Sequence, residues 1–565
     1  MKKRKGEKMN GYTTRMNEIV RSVAEQAWRE PLLTSGLWFH GDVRNNFYYA
    51  SYLFAASTDP LYEEELPFDR QEAKRLAEHV LVRVLRLQQR DPDRPMYGHW
   101  PLNLDPVPET AAPHELPVEL MGSLMAYFHR KYERQMSGHL AAEFETALGH
   151  VYRGGFYRRP LTVCNHHEAK YTAAKLIFGQ LYGDEELLED GKNCLASTLE
   201  RLRKEGMAEY GCLPWFWHWI QAITCALEFA ADPRVESDLD ELLDELWTLR
   251  ASYYLKGAWA GAHSRGWPHD APSDANVLHD YAQFGDFELP ADMPRTEYAG
   301  FLFREAPERA RSLALNRTEP AVVSRALWKV TDEGFRQLHS YAYVTKHYAA
   351  GGLWERVREF DNEQLRWMFS IPVRRGGQGN QLYFFHPGEG YDPSGRDPRH
   401  QSPWMEVLYR KNVVISLYPL PAEAIEQDAP EGNEVVGVLP EGEWIYEAEA
   451  LFGKVDEVLF AVYLNGSYEI RPMSGYNLAV CRGSRIGVVV EAVSLEDVKT
   501  KGINSLTDFA ALMAGRTPVF ADEGGLTVEY TGLLHEENLR LAKLAEGKAE
   551  SSVNGTEITF QQYTV

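Results

Sequence analysis

The spacing of apolar residues changes once along this chain, near residue 315, and that switch limits the fold more than any single motif does. Between residues 71 and 90, Leu76, Val80, Val84 and Leu87 recur at helical spacing while Lys74, Arg75 and Glu78 point elsewhere, the pattern of an amphipathic helix. Similar stripes cover 14–28, 45–57, 115–134, 138–151, 167–182, 185–204, 215–231, 235–253, 276–284 and 304–314, with short breaks such as Tyr182-Gly183-Asp184 and Asp232-Pro233. About ten helices in consecutive hairpins are expected. Several are apolar over more than half of their circumference and need neighbours on both sides, as in an α/α toroid.

After residue 315 the runs are short, β-branched or aromatic, and bounded by turn residues: Ala321–Val323, Leu338–Tyr348, Gln381–Phe385, Val413–Tyr418, Val458–Leu464, Tyr468–Arg471, Tyr476–Cys481, Ile486–Val493, Leu526–Tyr530 and Ile558–Tyr563. Asn465-Gly466 and Asn554-Gly555 read as two-residue hairpin turns, since both residues accept positive φ. One stretch, 504–514, reads as helical. The expected architecture is multidomain, α and β: a basic tail over 1–12, a toroid of helical hairpins over 13–315, and an antiparallel β-sandwich over 316–565. No low-complexity linker separates the halves, so a packed interface is expected.

Composition narrows the function classes. In 565 residues, 82 acidic side chains against 60 basic ones give a net charge of −22, which argues against nucleic acid or an anionic membrane as the main partner. No run approaches the roughly 20 apolar residues that span a bilayer. The first twenty residues carry a basic segment without an apolar core or cleavage site, so a cytoplasmic protein is expected. Cys164, Cys194, Cys212, Cys225 and Cys481 lack metal-binding or redox spacing and read as buried thiols. Phosphate-loop, zinc-protease and dinucleotide signatures are missing, and Gly376-Gly377-Gln378-Gly379-Asn380 reads as a turn; no cofactor or metal is expected.

Four segments concentrate chemistry. Cys164-Asn165-His166-His167-Glu168 opens the helix at 167–182. There Asn165 can cap and Glu168 can close a capping box, or both can face a ligand. Just upstream, Arg153, Arg158 and Arg159 lie among aromatics and glycines, a composition suited to gripping an acidic sugar. The loop Gly257–Asp270 carries His263, Arg265, Trp267 and His269 after a helix end, where clefts form. Trp38–Asn46 contributes His40 and Arg44, and Glu209–His218 contributes Tyr210 and Trp215 before the next helix. In the second half, Tyr343, His347 and Tyr348 share a strand, and Arg374, Arg375, His386, Arg396, Arg399 and His400 lie in or beside loops.

Helical hairpins followed by a β-sandwich, with an Asn-His pair opening a mid-toroid helix, resemble heparinase II/III-like and alginate-lyase-like polysaccharide lyases. The resemblance implies that Asn165 and His166 lie at a substrate carboxylate. It also implies a tyrosine acid/base on the following helix, but Trp or Phe stands there in Glu209–Trp217; Tyr210, or Tyr348 with His347, are the substitutes.

Lyase chemistry makes its own demands. Removing the proton beside a uronate carboxylate requires neutralising the enolate, work suited to Asn165, His166 and Arg265, together with a base. His263 is the first candidate base and Tyr348 the second. The substrate grip is expected from Arg153, Arg158, Arg159, Glu168, Tyr210, Trp215, His40, Arg44 and Trp267, and Asn165, His166, His263 and Arg265 are expected to converge on one pocket. The expected function is thus a lyase acting on uronic-acid-containing oligosaccharides, with an acidic oligosaccharide or polysaccharide fragment as partner. Two alternatives stay open. One is a glycoside hydrolase using two of Asp42, Glu168, Glu209, Asp270 and Asp280; the other is a glycan-binding protein with a degenerate site.

Overall fold

The computed structural model describes residues 11–62, 66–268, 270–291, 298–359, 364–388, 391–392, 394, 401–420, 434–545 and 547–565. Residues 1–10 of the expected basic tail, His269, Arg396, Arg399 and His400 lie outside the described residues; Gly11 and Tyr12 open the first helix.

Eleven helices precede residue 320 among the described residues: α1 Gly11–Arg29, α2 Val43–Thr58, α3 Arg70–Arg86, α4 Glu115–Tyr132, α5 Gly138–Gly154, α6 His166–Tyr182, α7 Glu185–Glu205, α8 Leu213–Phe229, α9 Pro233–Ser252, α10 Leu278–Gln283 and α11 Glu308–Leu315. Their starts follow from capping chemistry. Asp42, Asp69, Ser137, Asn165, Asp184 and Asp232 each accept a backbone N–H of the first turn. Gly155 and Gly183 end α5 and α6 in the left-handed conformation. α8 and α4 bury nearly their whole circumference, which makes them inner helices of the hairpin array.

The β half is antiparallel and has three layers. An eight-stranded sheet runs from its edge strand Ala321–Thr331 through Gly334–Val344, Ala349–Leu353, Trp367–Ser370, Gln381–Phe385, Glu434–Pro440 and Tyr476–Arg482 to Tyr468–Pro472. A six-stranded sheet orders Glu406–Arg410, Val413–Pro419, Arg485–Ser494, Val458–Leu464, Ala450–Val455 and Glu443–Tyr446. The third has five strands between Val519 and Glu557. Along Arg485–Ser494 the alternation is plain: Val488, Val490 and Ala492 pack toward the eight-stranded sheet, while Val489 and Val493 pack toward the five-stranded one. The sandwich expected from sequence is therefore present with a further sheet on its outer face. The segment Leu506–Met513, also helical, fills that second interlayer.

Two local readings change. Asn465-Gly466 is no hairpin turn, because Val458–Leu464 and Tyr468–Pro472 belong to different sheets and the Asn465 side chain bonds Arg485 O and Gly487 N. Asn554-Gly555 is a true turn, with φ of 50° and 76°. Ile558–Tyr563 forms no strand; Phe560 and Tyr563 leave the ladder to pack on His339 and Trp354.

The halves share a core, since Ala342, Val344 and Ala349 join the helical cluster. The edge hairpin at 321–344 leans on the end of α7. A Cβ on Gly206 would lie 3.2 Å from Ala326 O, and Lys329 Nζ donates to Ala208 O at 3.1 Å.

Candidate functional site

Between the α6–α8 ends and the 321–344 hairpin lies a cleft of about 880 Å³. Its helical wall is built at the N-terminus of α6, where three orphan N–H groups must be satisfied. Asn165 Oδ1 accepts from His167 N at 3.0 Å and Glu168 N at 3.2 Å, and Glu209 Oε2 accepts from His166 N at 2.9 Å. With Oδ1 so engaged, the Asn165 amide is oriented, and its Nδ2 finds no partner among the described residues although Asn165 lines the cleft.

His166 is held from behind. Its Nδ1 lies 2.5 Å from Glu209 Oε1, and Glu209 Oε2 also accepts from Trp219 Nε1 at 2.9 Å. Burial would raise the Glu209 carboxyl, but the His166 and Trp219 contacts outweigh it and hold Glu209 below the usual range. Burial, opposed by Glu209, pushes the His166 imidazole down to about 4. At neutral pH the pair is a carboxylate receiving Nδ1–H, which leaves Nε2 as the lone-pair nitrogen.

The His166 ring stacks on Trp215 at 4.9 Å and lies 5.5 Å from the ring of His218, one turn along α8 from Trp215. Next to it, His167 Nδ1 meets Glu119 Oε2 at 2.7 Å; Lys170 Nζ and Tyr171 OH also donate to Glu119. Burial works to raise Glu119, yet the hydrogen bond from His167 and the charge of Lys170 keep it well below its usual range.

Arg265 reaches this wall because its loop is clamped to the entry of α8. Ser264 N donates to Tyr210 O at 2.8 Å, and at Gly211 (φ 65°) a Cβ would lie 2.0 Å from Ala262 O, so no larger residue fits. The guanidinium then lies 5.0 Å from the Trp215 ring and 4.1 Å from the Trp267 ring. Arg44, Lys170, Arg201, Arg265 and Lys329 line the cleft against Glu205, Glu209 and Glu359, of which Glu209 holds His166 and Glu359 holds Lys329 at 3.1 Å. Arg44 is paired with Asp42 and Lys170 with Glu119, so the lining places cations beside acids, and among the described residues Arg201 has no ion pair to those carboxylates.

Asn165, His166, Arg265, Arg44 and Trp215 share the cleft. His263 does not. It is 1% exposed, both ring nitrogens lack hydrogen-bond partners among the described residues, and its N–H and C=O are bound to Leu365, making it a buried rung between the halves. Burial, with Arg250 nearby, pushes it down to about 3. Tyr348 lies in the β core beside Tyr343, its phenol raised well above the usual range by burial. Tyr210 OH is spent behind the wall, donating to Glu359 and accepting from Gln364.

The arginine grip is misplaced as well. Arg153 bonds Tyr97 OH and His150, Arg158 pairs with Asp184 at 2.8 Å, and Arg159 sits over the Tyr171 ring, none of them lining the cleft. Their partners on neighbouring elements capture them. Glu168 closes no capping box; its Oε1 accepts from Thr162 N and Val163 N, folding the loop before α6. His40 bonds Ser35 and Asp105 away from the cleft, and Trp267 contributes through Arg265. Of the five carboxyls suited to hydrolysis, Glu209 alone lines the cleft; Asp280 is locked to Arg250 with both fully buried, and Asp42 pairs with Arg44.

Sequence reasoning missed Arg201, Lys329 and Glu359, and undervalued His218, which follows Trp215 by one helical turn. Cys164 also lines the cleft, but burial pushes its thiol up to about 12, so it is no nucleophile at neutral pH. Behind Glu209 a smaller cavity of about 220 Å³ is lined chiefly by Leu202, Met207, Phe216, Leu249 and Tyr253, without imidazole. Among the described residues His129, Glu133 and Glu145, between α4 and α5, bring ligand atoms within 4.8 Å of one another, outside the cleft. No helix among them is long and apolar enough to cross a membrane.

No protein-family model matches the chain, and no curated protein matches it. Among solved structures it is similar to heparinase III (TM-score 0.44, 9% identity, 97% of this chain and 92% of that one). It is also similar to the Streptomyces coelicolor A3 chondroitin AC lyase in complex with chondroitin sulphate (0.44, 9%, 98% and 90%). A third is the heparan sulfate lyase HepC from Pedobacter heparinus (0.35, 8%, 98% and 90%). At such identities the likeness is one of layout, and the chemistry of the cleft has to come from its own side chains.

Proposed function

We propose that this chain is a lyase that cleaves uronate-containing oligosaccharides by β-elimination in the cleft between its two halves. One observation carries the reading: an oriented Asn165 Nδ2 and the Arg265 guanidinium share a pocket with an imidazole whose Nδ1 is occupied by a buried carboxylate. Asn165 Nδ2 and Arg265 neutralise the uronate carboxylate as enolate charge develops. His166 Nε2 takes the C5 proton. The C4–O bond then breaks, a C4–C5 double bond forms, and the departing O4 receives a proton from His218 on the same wall. His166 replaces His263 and Tyr348 as the base because both of those lie buried outside the cleft.

Incubation with a panel of acidic oligosaccharides, followed by ultraviolet absorbance and reducing ends, tests this. A lyase raises both signals together. Reducing ends without the unsaturated chromophore would mean hydrolysis, and binding without either signal would mean a glycan-binding protein.

A further inference from the structure

The outer wall of the cleft belongs to the edge hairpin Ala321–Thr331 and Gly334–Val344. Its register sets Val330 opposite Phe335 and Trp328 opposite Gln337, so Trp328 and Phe335 are diagonal cross-strand neighbours. Their rings lie 5.2 Å apart at 21°, a stacked pair. Trp328, Val330 and Phe335 all line the cleft, yet Val330 is 62% and Phe335 55% exposed. Edge strands are ordinarily blunted with charge, and this one keeps apolar side chains in water at its tip. Between Trp328 and Val330, Lys329 ties the strand to the helical wall through Ala208 O and pairs with Glu359, which itself accepts from Tyr210 of that wall, so the rings are held at a fixed place relative to His166.

A pyranose ring has an apolar C–H face and a hydroxyl edge; stacking on an aromatic ring buries the first and leaves the second to water or to polar neighbours. Arg201 in the same lining suits an anionic chain. We infer that Trp328 and Phe335 form a sugar-stacking platform, a subsite for the neighbour that lies beyond the two sugars joined by the scissile bond. This rests on the lyase reading for the identity of that neighbour. A cleft of about 880 Å³, near the top of the roughly 300–1,000 Å³ range of small-ligand pockets, gives room for more than one ring.

The test is calorimetric binding and turnover of defined uronate-containing oligosaccharides of two, four and six sugars by the unaltered protein, Phe335→Ala and Trp328→Ala. A lost stacking contact is expected to weaken tetra- and hexasaccharide binding about tenfold, with disaccharide affinity and kcat changed less than about twofold. Since Phe335 is exposed, its variant keeps the parent's melting temperature, and Phe335→Ser serves as a second one. Equal affinity for the longer chains in all variants overturns the platform while leaving the lyase reading standing, and so does an equal loss for the disaccharide. If the unaltered protein binds none of the series, both fall. Sedimentation showing self-association that Phe335→Ala abolishes would assign the patch to a contact between copies and overturn the subsite.

Discussion

Replacing Glu209 by glutamine keeps the shape of the side chain and removes its charge, and the geometry says how the site responds. Two donors, His166 N and Trp219 Nε1, converge on Oε2 at 2.9 Å, so the amide oxygen of the substituted side chain takes that place. The amide nitrogen then faces His166 Nδ1 from the position of Oε1, now 2.5 Å away. Two N–H groups cannot share that contact, so the imidazole is driven to the tautomer with its lone pair on Nδ1 and its proton on Nε2. A base protonated at its working nitrogen cannot accept the C5 proton. General base catalysis contributes roughly 10²- to 10⁴-fold, and E209Q should lower kcat by that range with KM little changed. Loss of a charge-assisted hydrogen bond costs about 1.5–3 kcal/mol, partly offset because a carboxylate is no longer buried. Steady-state kinetics by chromophore release and urea unfolding measure the two effects separately. A kcat within about threefold of the parent, in a folded variant, would refute the assignment of His166 as base.

N165D retains a capping oxygen for α6 but loses the Nδ2 donor and adds a charge facing the substrate carboxylate, so turnover collapses while the melting temperature holds; parallel loss of both would mean that Asn165 only caps. Because His166 must be neutral to act and burial holds it near 4, the acid limb of kcat should fall through about pH 4 and not near the ordinary 6.5, read from a pH–rate profile in an acid-stable range. The same depressed value means that the unfolded chain binds the extra proton between about 6.5 and 4, so this group's contribution to stability declines as pH drops through that window, measurable by chemical denaturation at each pH. D280A strands the fully buried Arg250, which Asp280 engages through Nε and Nη2, and should cost about 3–5 kcal/mol in urea unfolding. H263L removes a buried imidazole that has no hydrogen-bond partner among the described residues and should leave kcat within a few-fold, in contrast to H166A, as parallel kinetics would show.

The helical half was legible in the sequence because its signals are local. Apolar spacing and a capping residue lie within one or two turns of each helix, so Asp69, Ser137 and Asp184 mark starts that the structure keeps. The site was half legible for the same reason: Asn165 and His166 advertise themselves at a helix N-terminus, but the Glu209 that tunes His166 comes 43 residues later and nothing in the sequence pairs them. Arg153 and Arg158 looked available only while their captors, Tyr97 and Asp184, were out of view. The third sheet escaped because period-2 runs specify which side of a strand is apolar, and Val488–Val493, apolar on both sides except at Glu491, reads as a buried strand without saying what covers each face. Trp328 and Phe335 were passed over as ordinary strand residues, since exposure is a tertiary property.

The middle position of the six-stranded sheet has a consequence for how the chain is made. Its strands, from Glu406 to Ser494, are complete before the ribosome has produced the sheet at 519–557 that covers their outer side. At about 5–20 residues per second, the roughly 60 residues in between take on the order of 3–12 s, far longer than hydrophobic collapse needs. For that interval Leu417, Phe452, Leu459 and Val489 present a wet apolar face that invites the wrong neighbour. Each newly made molecule therefore depends on the 519–557 stretch arriving before another molecule does, and slow codons or a nonsense mutation there would produce aggregates even though every residue of the cleft had already been synthesised.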